Sequence, residues 1–299
     1  MRIAIASGKG GTGKTTVATN LAYVASRAGH SVAYLDCDVE EPNGALFLHP
    51  KISEREPVHV SIPALDLSAC TFCGLCGAIC QYSAIVPLKD NVLIFPDLCH
   101  SCAGCWLVCE SGALSESQRS IGTLEKGHAG EIQVIQGLLD IGRALSPPVI
   151  RAVKAAAPEA RLMLIDAPPG TSCPVIESVR DADYVLLVTE PTPFGLHDLK
   201  LAVEMVRVLG LPFGVVVNRA DPSARDTHAW CEQEQIAILA EIPDDRRVAE
   251  VYSRGGMASE HLPEYFSVFS TLLGHLESLS PAQASEAPRQ LEGAAKESS

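Results

Sequence analysis

Two runs of cysteines are the residues in this chain most able to do chemistry. Eight of the eleven cysteines fall in these runs, and each run has the spacing C-x2-C-x2-C-x3-C. The runs consist of Cys70, Cys73, Cys76 and Cys80, and of Cys99, Cys102, Cys105 and Cys109. Three closely spaced thiolates can hold three irons of one 4Fe-4S cluster, and the fourth cysteine of the run then serves the other cluster. The spacing therefore predicts two 4Fe-4S clusters, one on Cys70, Cys73, Cys76 and Cys109, the other on Cys99, Cys102, Cys105 and Cys80.

A pair of zinc sites is the alternative for the same eight thiolates. Structural zinc sites are usually built from two separated cysteine pairs, so the triple spacing favours iron–sulfur clusters. The remaining cysteines, Cys37, Cys173 and Cys231, lack ligand spacing. We expect all three to be buried, unreactive thiols.

A second chemical motif lies at the start of the chain. Residues 8–15, GKGGTGKT, fit the phosphate-binding pattern G-x4-G-K-[ST] between an apolar strand at 2–6 and a helical pattern at 14–29. Glycines let backbone N–H groups converge on phosphate oxygens at a helix N-terminus. We expect Lys14 to reach the β- and γ-phosphates and Thr15 to bind Mg²⁺. The alternative is an ordinary glycine-rich turn. The nucleotide-binding residues predicted from this loop are Gly8, Gly10, Gly11, Thr12, Gly13, Lys14, Thr15 and Thr16.

Aspartates end two of the predicted buried strands. Asp36 closes the strand at 31–36, Asp38 follows it, and Asp166 closes the strand Leu162–Asp166. The carboxyl ends of parallel strands face the ligand crevice of an open α/β sheet. We therefore expect Asp38 to orient the attacking water, Asp166 to sense the γ-phosphate and hold the Mg²⁺ shell, and Asp36 to lie in that shell. Taken singly, each could instead be a turn former or a helix cap.

These motifs together resemble the deviant P-loop ATPases: MinD, ParA, Mrp and the nitrogenase iron protein. The resemblance rests on the second loop lysine, Lys9, on Asp36-Cys37-Asp38, on the sequence DAPPG at 166–170, and on Val217-Asn218-Arg219. It implies a SIMIBI-type α/β fold with a parallel sheet, and MgATP as substrate. It also implies a dimer, either a homodimer or a heterodimer with a paralogue, in which Lys9 reaches the partner's nucleotide. Asn218 would contact adenine. The expected catalytic residues are Lys9, Lys14, Asp38 and Asp166.

The cysteine runs resemble a bacterial-type two-cluster ferredoxin domain. They depart from it because Gln81 and Glu110 stand where that family usually has proline after the fourth cysteine. We therefore predict an ATPase domain at 1–57 and 119–279, an inserted α+β ferredoxin-like domain at 58–118, and a disordered tail at 280–299. In the nitrogenase iron protein a shared cluster needs two cysteines from each subunit. Only Cys173 is placed for that role here, which argues against a bridging cluster.

Composition excludes several classes of function. The formal net charge of −13 disfavours nucleic acid and anionic membranes as partners. No apolar run approaches the roughly 20 residues of a membrane span. The last helical pattern, at 262–279, contains no Lys or Arg, so we expect it to pack on the core and not on a membrane. The start MRIAIAS has no signal-peptide anatomy, which predicts a cytoplasmic protein.

Three hypotheses combine the nucleotide with the cysteines. The leading one is an ATPase, slow and stimulated by its partner, that couples nucleotide state to electron transfer through two clusters to a redox partner protein. The second is an ATP-dependent iron–sulfur cluster assembly or carrier protein, in which the clusters are cargo. The third is a redox-sensing regulator that binds ATP and docks a partner.

Overall fold

The computed structural model describes residues 1–221 and 224–279. The tail at 280–299, predicted to be disordered, lies outside this part of the chain. The strands are β1 (Arg2–Ala6), β2 (Val32–Asp36), β3 (Lys51–Leu65), β4 (Ile85–Pro87), β5 (Val92–Ile94), β6 (Leu114–Ala129), β7 (Ile132–Leu139), β8 (Leu162–Asp166), β9 (Tyr184–Thr189), β10 (Phe213–Ala220) and β11 (Ile238–Pro243). The helices are α1 (Lys14–Arg27), α2 (Ala45–Leu48), α3 (Leu75–Ile79), α4 (Gly104–Leu107), α5 (Pro147–Ala155), α6 (Cys173–Val179), α7 (Pro193–Val208), α8 (Arg225–Gln233), α9 (Arg246–Tyr252), α10 (Ala258–His261) and α11 (Pro263–Ser278).

A nine-stranded sheet forms the centre of the fold, in the order β11-β10-β9-β1-β8-β2-β7-β6-β3. The strands from β11 to β7 are all parallel, whereas β6 runs antiparallel to β7 and β3 antiparallel to β6. The sequence prediction of an α/β, mostly parallel sheet is confirmed. Because β1 lies between β8 and β9, the loop that follows β1 lies near the middle of the sheet, at the carboxyl ends of its parallel strands.

Helices cover both faces of this sheet, which explains why its inner strands read as unbroken apolar runs. Alternate residues of β1 point to opposite faces. Ile3 and Ile5 pack with α1, α10 and α11, and Ala4 and Ala6 belong to the core that also contains α5, α6 and α7. The helix α11 packs on the core through residues such as Phe269, as the absence of basic residues from this segment predicted. Within residues 1–221 and 224–279, no helix is long and apolar enough to cross a bilayer.

The strands β3 and β6 connect the cysteine-rich segment, residues 66–113, to the sheet. They pair from Lys51 opposite His128 to Leu65 opposite Leu114. Positions 58 and 118, the predicted domain limits, lie inside these two strands, and those limits stay predictions. The cysteine-rich segment contains α3, α4, the β4–β5 hairpin and two short 3₁₀ turns, at Leu67–Ala69 and Pro96–Leu98.

Candidate functional site

The loop after β1 has the backbone that a phosphate cradle requires. Gly11 and Gly13 adopt φ values of 81° and 93°, in the left-handed region that favours glycine. A side chain at Gly13 would also collide with the Asn218 amide. That amide donates a 2.8 Å hydrogen bond to the carbonyl of Thr12. Asn218 therefore supports the loop from the end of β10, a contact additional to its predicted role at adenine.

A crevice of about 400 Å³ lies beside this loop, within the usual size range of ligand sites. Among the predicted residues, it is lined by Gly10, Gly11, Gly13, Lys14, Thr15, Thr16, Asp38 and Asn218. Gly8 and Thr12 lie outside the lining. Gly8 is pressed against the Asp198 carbonyl, where a side chain would collide, and Thr12 is 2% exposed.

One wall of the crevice was missed by the sequence analysis. It consists of Pro243, Asp244, Asp245, Val248, Ala249 and Tyr252, from the end of β11 into α9. No motif marks these residues. The signal that could have found them is topological, because β11 is another parallel strand whose carboxyl end meets the crevice.

Two buried aspartates lie next to each other beneath the crevice. Asp36 on β2 is in register with Asp166 on β8, and they are 1% and 0% exposed. Burial raises the pKa of Asp36, and the charge of Asp166 raises it further. Two backbone hydrogen bonds to the Asp36 carboxylate oppose this shift. The Gly44 N–H donates one at 2.9 Å, and the Asp38 N–H donates the other at 3.2 Å. The strand ends thus bring together two carboxylates that the sequence separates by 130 residues.

Asp166 has a hydrogen-bond partner that the sequence analysis did not identify. Tyr34, fully buried in β2, donates from its hydroxyl to Asp166 Oδ2 at 2.8 Å. Burial raises the pKa of Asp166, opposed by the Thr15 hydroxyl, the Lys14 ammonium and the Tyr34 hydroxyl. The other oxygen, Oδ1, is buried without a hydrogen-bond partner. An unpaired carboxylate oxygen near Thr15 and Asp36 fits Mg²⁺, which prefers oxygen ligands.

Lys14 and Asp38 both line the crevice, where their opposite charges attract each other. Burial lowers the pKa of Lys14, although Asp166, Asp38 and Asp36 oppose that shift. Burial raises the pKa of Asp38 to about 6, against the attraction of Lys14. A half-buried carboxylate at the crevice wall can accept a hydrogen bond from water, and Lys14 supplies positive charge for phosphate oxygens.

The first predicted cysteine set lines a single small pocket. Cys70, Cys73, Cys76 and Cys109 share it with apolar residues that include Leu65, Val92 and Leu114. Burial raises the pKa of Cys76, with a further contribution from Cys73 and Cys109. Across the described residues, no group of three or more Cys, His, Asp or Glu is arranged as a metal-ion site.

The second predicted set is gathered around Cys105. Burial raises the pKa of Cys105 to about 11, and Cys99 and Cys102 add to the rise. The fourth member, Cys80, follows Ile79 at the end of α3. A Cβ placed on Gly104 would lie 3.5 Å from Ile79 Cδ1, so α3 and α4 are in contact there. This contact brings the end of α3, the residue before Cys80, against the helix that contains Cys105.

Backbone amides surround the last cysteine of each run. Burial alone would raise the pKa of Cys80, but amides at 82–85 lower it overall, and the Ala84 N–H lies 3.3 Å from its Sγ. The pKa of Cys109 is lowered in the same way by the Ser111 hydroxyl and the amides at 112–114. Soft thiolates that accept N–H hydrogen bonds in an apolar pocket fit an iron–sulfur cluster.

The three other cysteines differ in exposure. Cys37 and Cys231 are buried, as predicted, and burial raises the pKa of each thiol. The expectation of a buried thiol was wrong for Cys173, which is exposed. Cys173 is the first residue of α6, and the helix start that follows the DAPPG sequence lies at the surface.

Comparison with known proteins identifies the family. The profile of the CobQ/CobB/MinD/ParA nucleotide-binding domain matches residues 3–257. The chain belongs to this family. The MinD/ParA part of the resemblance is thereby confirmed, and the match runs across both the ATPase strands and the cysteine-rich segment.

Three other proteins show what the chain is similar to. An uncharacterized protein of Methanocaldococcus jannaschii is 36% identical over 222 residues, which cover 73% of this chain and 78% of the relative. A cytosolic Fe-S cluster assembly factor Nubp2 homolog of Anopheles gambiae is 25% identical, over 88% of this chain and 90% of the relative. The septum site-determining protein MinD of Pyrococcus horikoshii, solved with Mg-ADP, has a similar fold. Its TM-score is 0.58 at 21% identity, over 93% of this chain and 96% of that chain.

The lysine that marks the resemblance to this family, Lys9, is not among the residues that line the crevice. Its Nζ lies 3.6 Å from Glu190 Oε2, and Glu190 also forms an ion pair with Arg219 at 2.7 Å. The Lys9 side chain is therefore held on its own subunit by one partly exposed ion pair, which is a weak restraint. Its reach to a partner's nucleotide stays a prediction.

Proposed function

We propose that this MinD/ParA-family protein binds and hydrolyses ATP and couples its nucleotide state to electron transfer through two 4Fe-4S clusters. The observation that carries the proposal is a shared sheet. The carboxyl ends of its parallel strands carry the phosphate loop and buried carboxylates, and its β3–β6 edge carries the segment with the eight cysteines of the two predicted ligand sets. Because one continuous sheet joins the nucleotide site to the proposed redox site, a change at one site can affect the other.

In the nucleotide crevice, different residues of the chain have different roles in ATP hydrolysis. The loop amides and Lys14 hold the phosphates, and Thr15, Asp36 and Asp166 hold Mg²⁺. Asp38 accepts a hydrogen bond from the attacking water and orients it towards the γ-phosphate. Asn218 supports the loop through its hydrogen bond to the Thr12 carbonyl. It would also contact the adenine base of the nucleotide. Lys9 of each subunit reaches the partner's phosphates in a closed homodimer, or in a heterodimer with a paralogue.

The cysteine-rich segment would hold the clusters. Cys70, Cys73, Cys76 and Cys109 hold one, and Cys99, Cys102, Cys105 and Cys80 hold the other. Bound clusters supply one-electron transfer to a redox partner protein. The chain's part is to supply thiolates, to donate N–H groups to sulfur, and to exclude water with Leu65, Val92 and Leu114.

Two contacts connect the crevice to the cysteines. The Leu139 N–H at the end of β7 donates to the carbonyl of Val39, the residue after Asp38, at 2.8 Å. In the loop that follows β7, Arg143 forms an ion pair with Asp97, two residues before Cys99. A movement of the segment that carries Asp38 can therefore be transmitted through β7 to the second cysteine set.

The deciding experiment is an anaerobic redox titration of ATP hydrolysis. Purified protein should contain about eight irons per chain, as two 4Fe-4S clusters require. Oxidised and reduced protein should hydrolyse ATP at different rates. Coupling requires two conformations of the protein that differ in their affinity for the nucleotide, and the redox state of the clusters shifts the balance between them. Equal rates would refute the coupling, and zinc in place of iron would end the redox proposal.

An iron–sulfur cluster assembly or carrier function is the second candidate. The assembly factor named among the relatives favours it, and so does the exposure of Cys73 and Cys102, which an acceptor protein can approach. Transfer of cluster to an apo-ferredoxin that is faster with MgATP would support it. Clusters that stay bound throughout ATP turnover would favour electron transfer.

A further inference from the structure

Tyr34 occupies a position in the nucleotide site that no motif assigns. It lies two residues before Asp36 on the same face of β2, and none of its surface is exposed. Its hydroxyl donates a 2.8 Å hydrogen bond to Asp166 Oδ2.

A second contact of Tyr34 supports the segment that carries Asp38. A Cβ built on Gly44 would lie 2.6 Å from Tyr34 Cζ, so the ring packs directly beneath the Gly44 backbone. The Gly44 N–H in turn donates to Asp36 Oδ2 at 2.9 Å. One buried side chain thus contacts both the Asp166 carboxylate and the end of the segment at 38–44.

We propose that Tyr34 is a positioning residue of the magnesium site. By occupying Asp166 Oδ2, it leaves Oδ1 as the oxygen available to the cation and fixes the carboxylate plane. This inference rests on the proposed MgATP site. The alternative is a packing role, in which the hydroxyl takes the nearest acceptor and affects stability alone.

The test is Tyr34→Phe, which removes one oxygen and keeps the ring under Gly44. We would measure the binding of a non-hydrolysable ATP analogue anaerobically, with and without Mg²⁺, by calorimetry. A hydrogen bond to a charged group accounts for about a tenfold change in an equilibrium. We expect the Mg²⁺ dissociation constant at saturating analogue to rise about tenfold, and Mg²⁺-free affinity to change less than about twofold.

The matched control is Tyr184→Phe, which removes a hydroxyl from a tyrosine that is 7% exposed at the start of β9, away from the crevice. Melting curves verify that both variants fold. The proposal would be overturned if the Mg²⁺ dissociation constant of Tyr34→Phe equalled that of Tyr184→Phe, even if Tyr34→Phe melts at a lower temperature than the parent. Binding by the unmodified protein separately tests the proposed function.

A double-mutant cycle provides the second measurement. If Tyr34 acts through Asp166, adding Tyr34→Phe to an Asp166→Asn protein should change the Mg²⁺ dissociation constant by less than about twofold. A further tenfold loss in that background would show that the two residues act independently, and the proposal would fail.

Discussion

Replacement of Gly44 by alanine should destabilise the protein, although local backbone geometry predicts the reverse. Gly44 has φ −58° and ψ −36° at the start of α2, a conformation that alanine adopts readily. Where no contact interferes, Gly→Ala at such a site stabilises a protein by about 0.4–1 kcal/mol, because it reduces the entropy of the unfolded chain. The ring of Tyr34 is the contact that changes the sign.

The magnitude follows from two contacts of Gly44. Its new methyl group would lie 2.6 Å from Tyr34 Cζ, and Tyr34 is fully buried, so the Gly44 backbone must move. Overpacking of this kind costs about 1–3 kcal/mol. The movement also weakens the N–H bond to the buried Asp36 carboxylate, a class of bond worth about 1.5–3 kcal/mol. We expect a net loss of about 3 kcal/mol in the free energy of unfolding.

Anaerobic thermal unfolding at a fixed scan rate measures this loss. At about 2–4 °C per kcal/mol, the melting temperature should fall by about 6–12 °C. Gly274→Ala is the matched control, because Gly274 lies inside α11 with no atom within 4 Å of its built Cβ, and it should melt slightly higher than the parent. A Gly44→Ala protein that melts at or above the parent would refute the reasoning.

Three further predictions concern other parts of the chain. Lys9→Ala should abolish the dimerisation that a non-hydrolysable ATP analogue induces, as measured by sedimentation. The affinity for the nucleotide should fall by no more than about twofold, because Lys9 does not line the crevice. The Glu241 hydrogen bond raises the pKa of His228, so its stabilising effect should be complete below about pH 6.5 and lost as pH rises through the raised value. Glu241→Gln should therefore melt below the parent at pH 6 and match it near pH 9. Cys109→Ser should remove the paramagnetic signal of one cluster and about four irons, whereas Cys231→Ser should remove neither.

The nucleotide loop could be predicted from sequence because phosphate binding constrains a short, contiguous stretch of backbone. Lys14 and Thr15 lie in the crevice lining for that reason. The bond between Tyr34 and Asp166 could not be predicted, because it joins residues 132 positions apart. Within VAYLD, a tyrosine reads as one more apolar strand residue. Only the register of β2 against β8 gives its hydroxyl a carboxylate partner.

The strand β3 shows a different limit. No sequence pattern indicated a strand at 51–57, whereas β3 covers Lys51–Leu65. Its first half contains Glu54, Arg55, Glu56 and Pro57, residues that usually argue against a strand. They are tolerated because β3 is the edge strand, where charge and proline also discourage pairing with another chain.

The β3–β6 pair also has a mechanical consequence. β6 is paired with β7 from Gly122 to Ala129, and the Asp140 N–H still donates to the Ile121 carbonyl, so beyond Ile121 the two strands continue as a ribbon without that support. About eight residues at ~3.3 Å each make this ribbon roughly 25 Å long. A tilt of about 10° at its base would swing the far end, where the cysteines begin, by roughly 4 Å at this strand rise. If β7 rotates, the ribbon would act as a lever arm and enlarge that movement before it reaches the thiols.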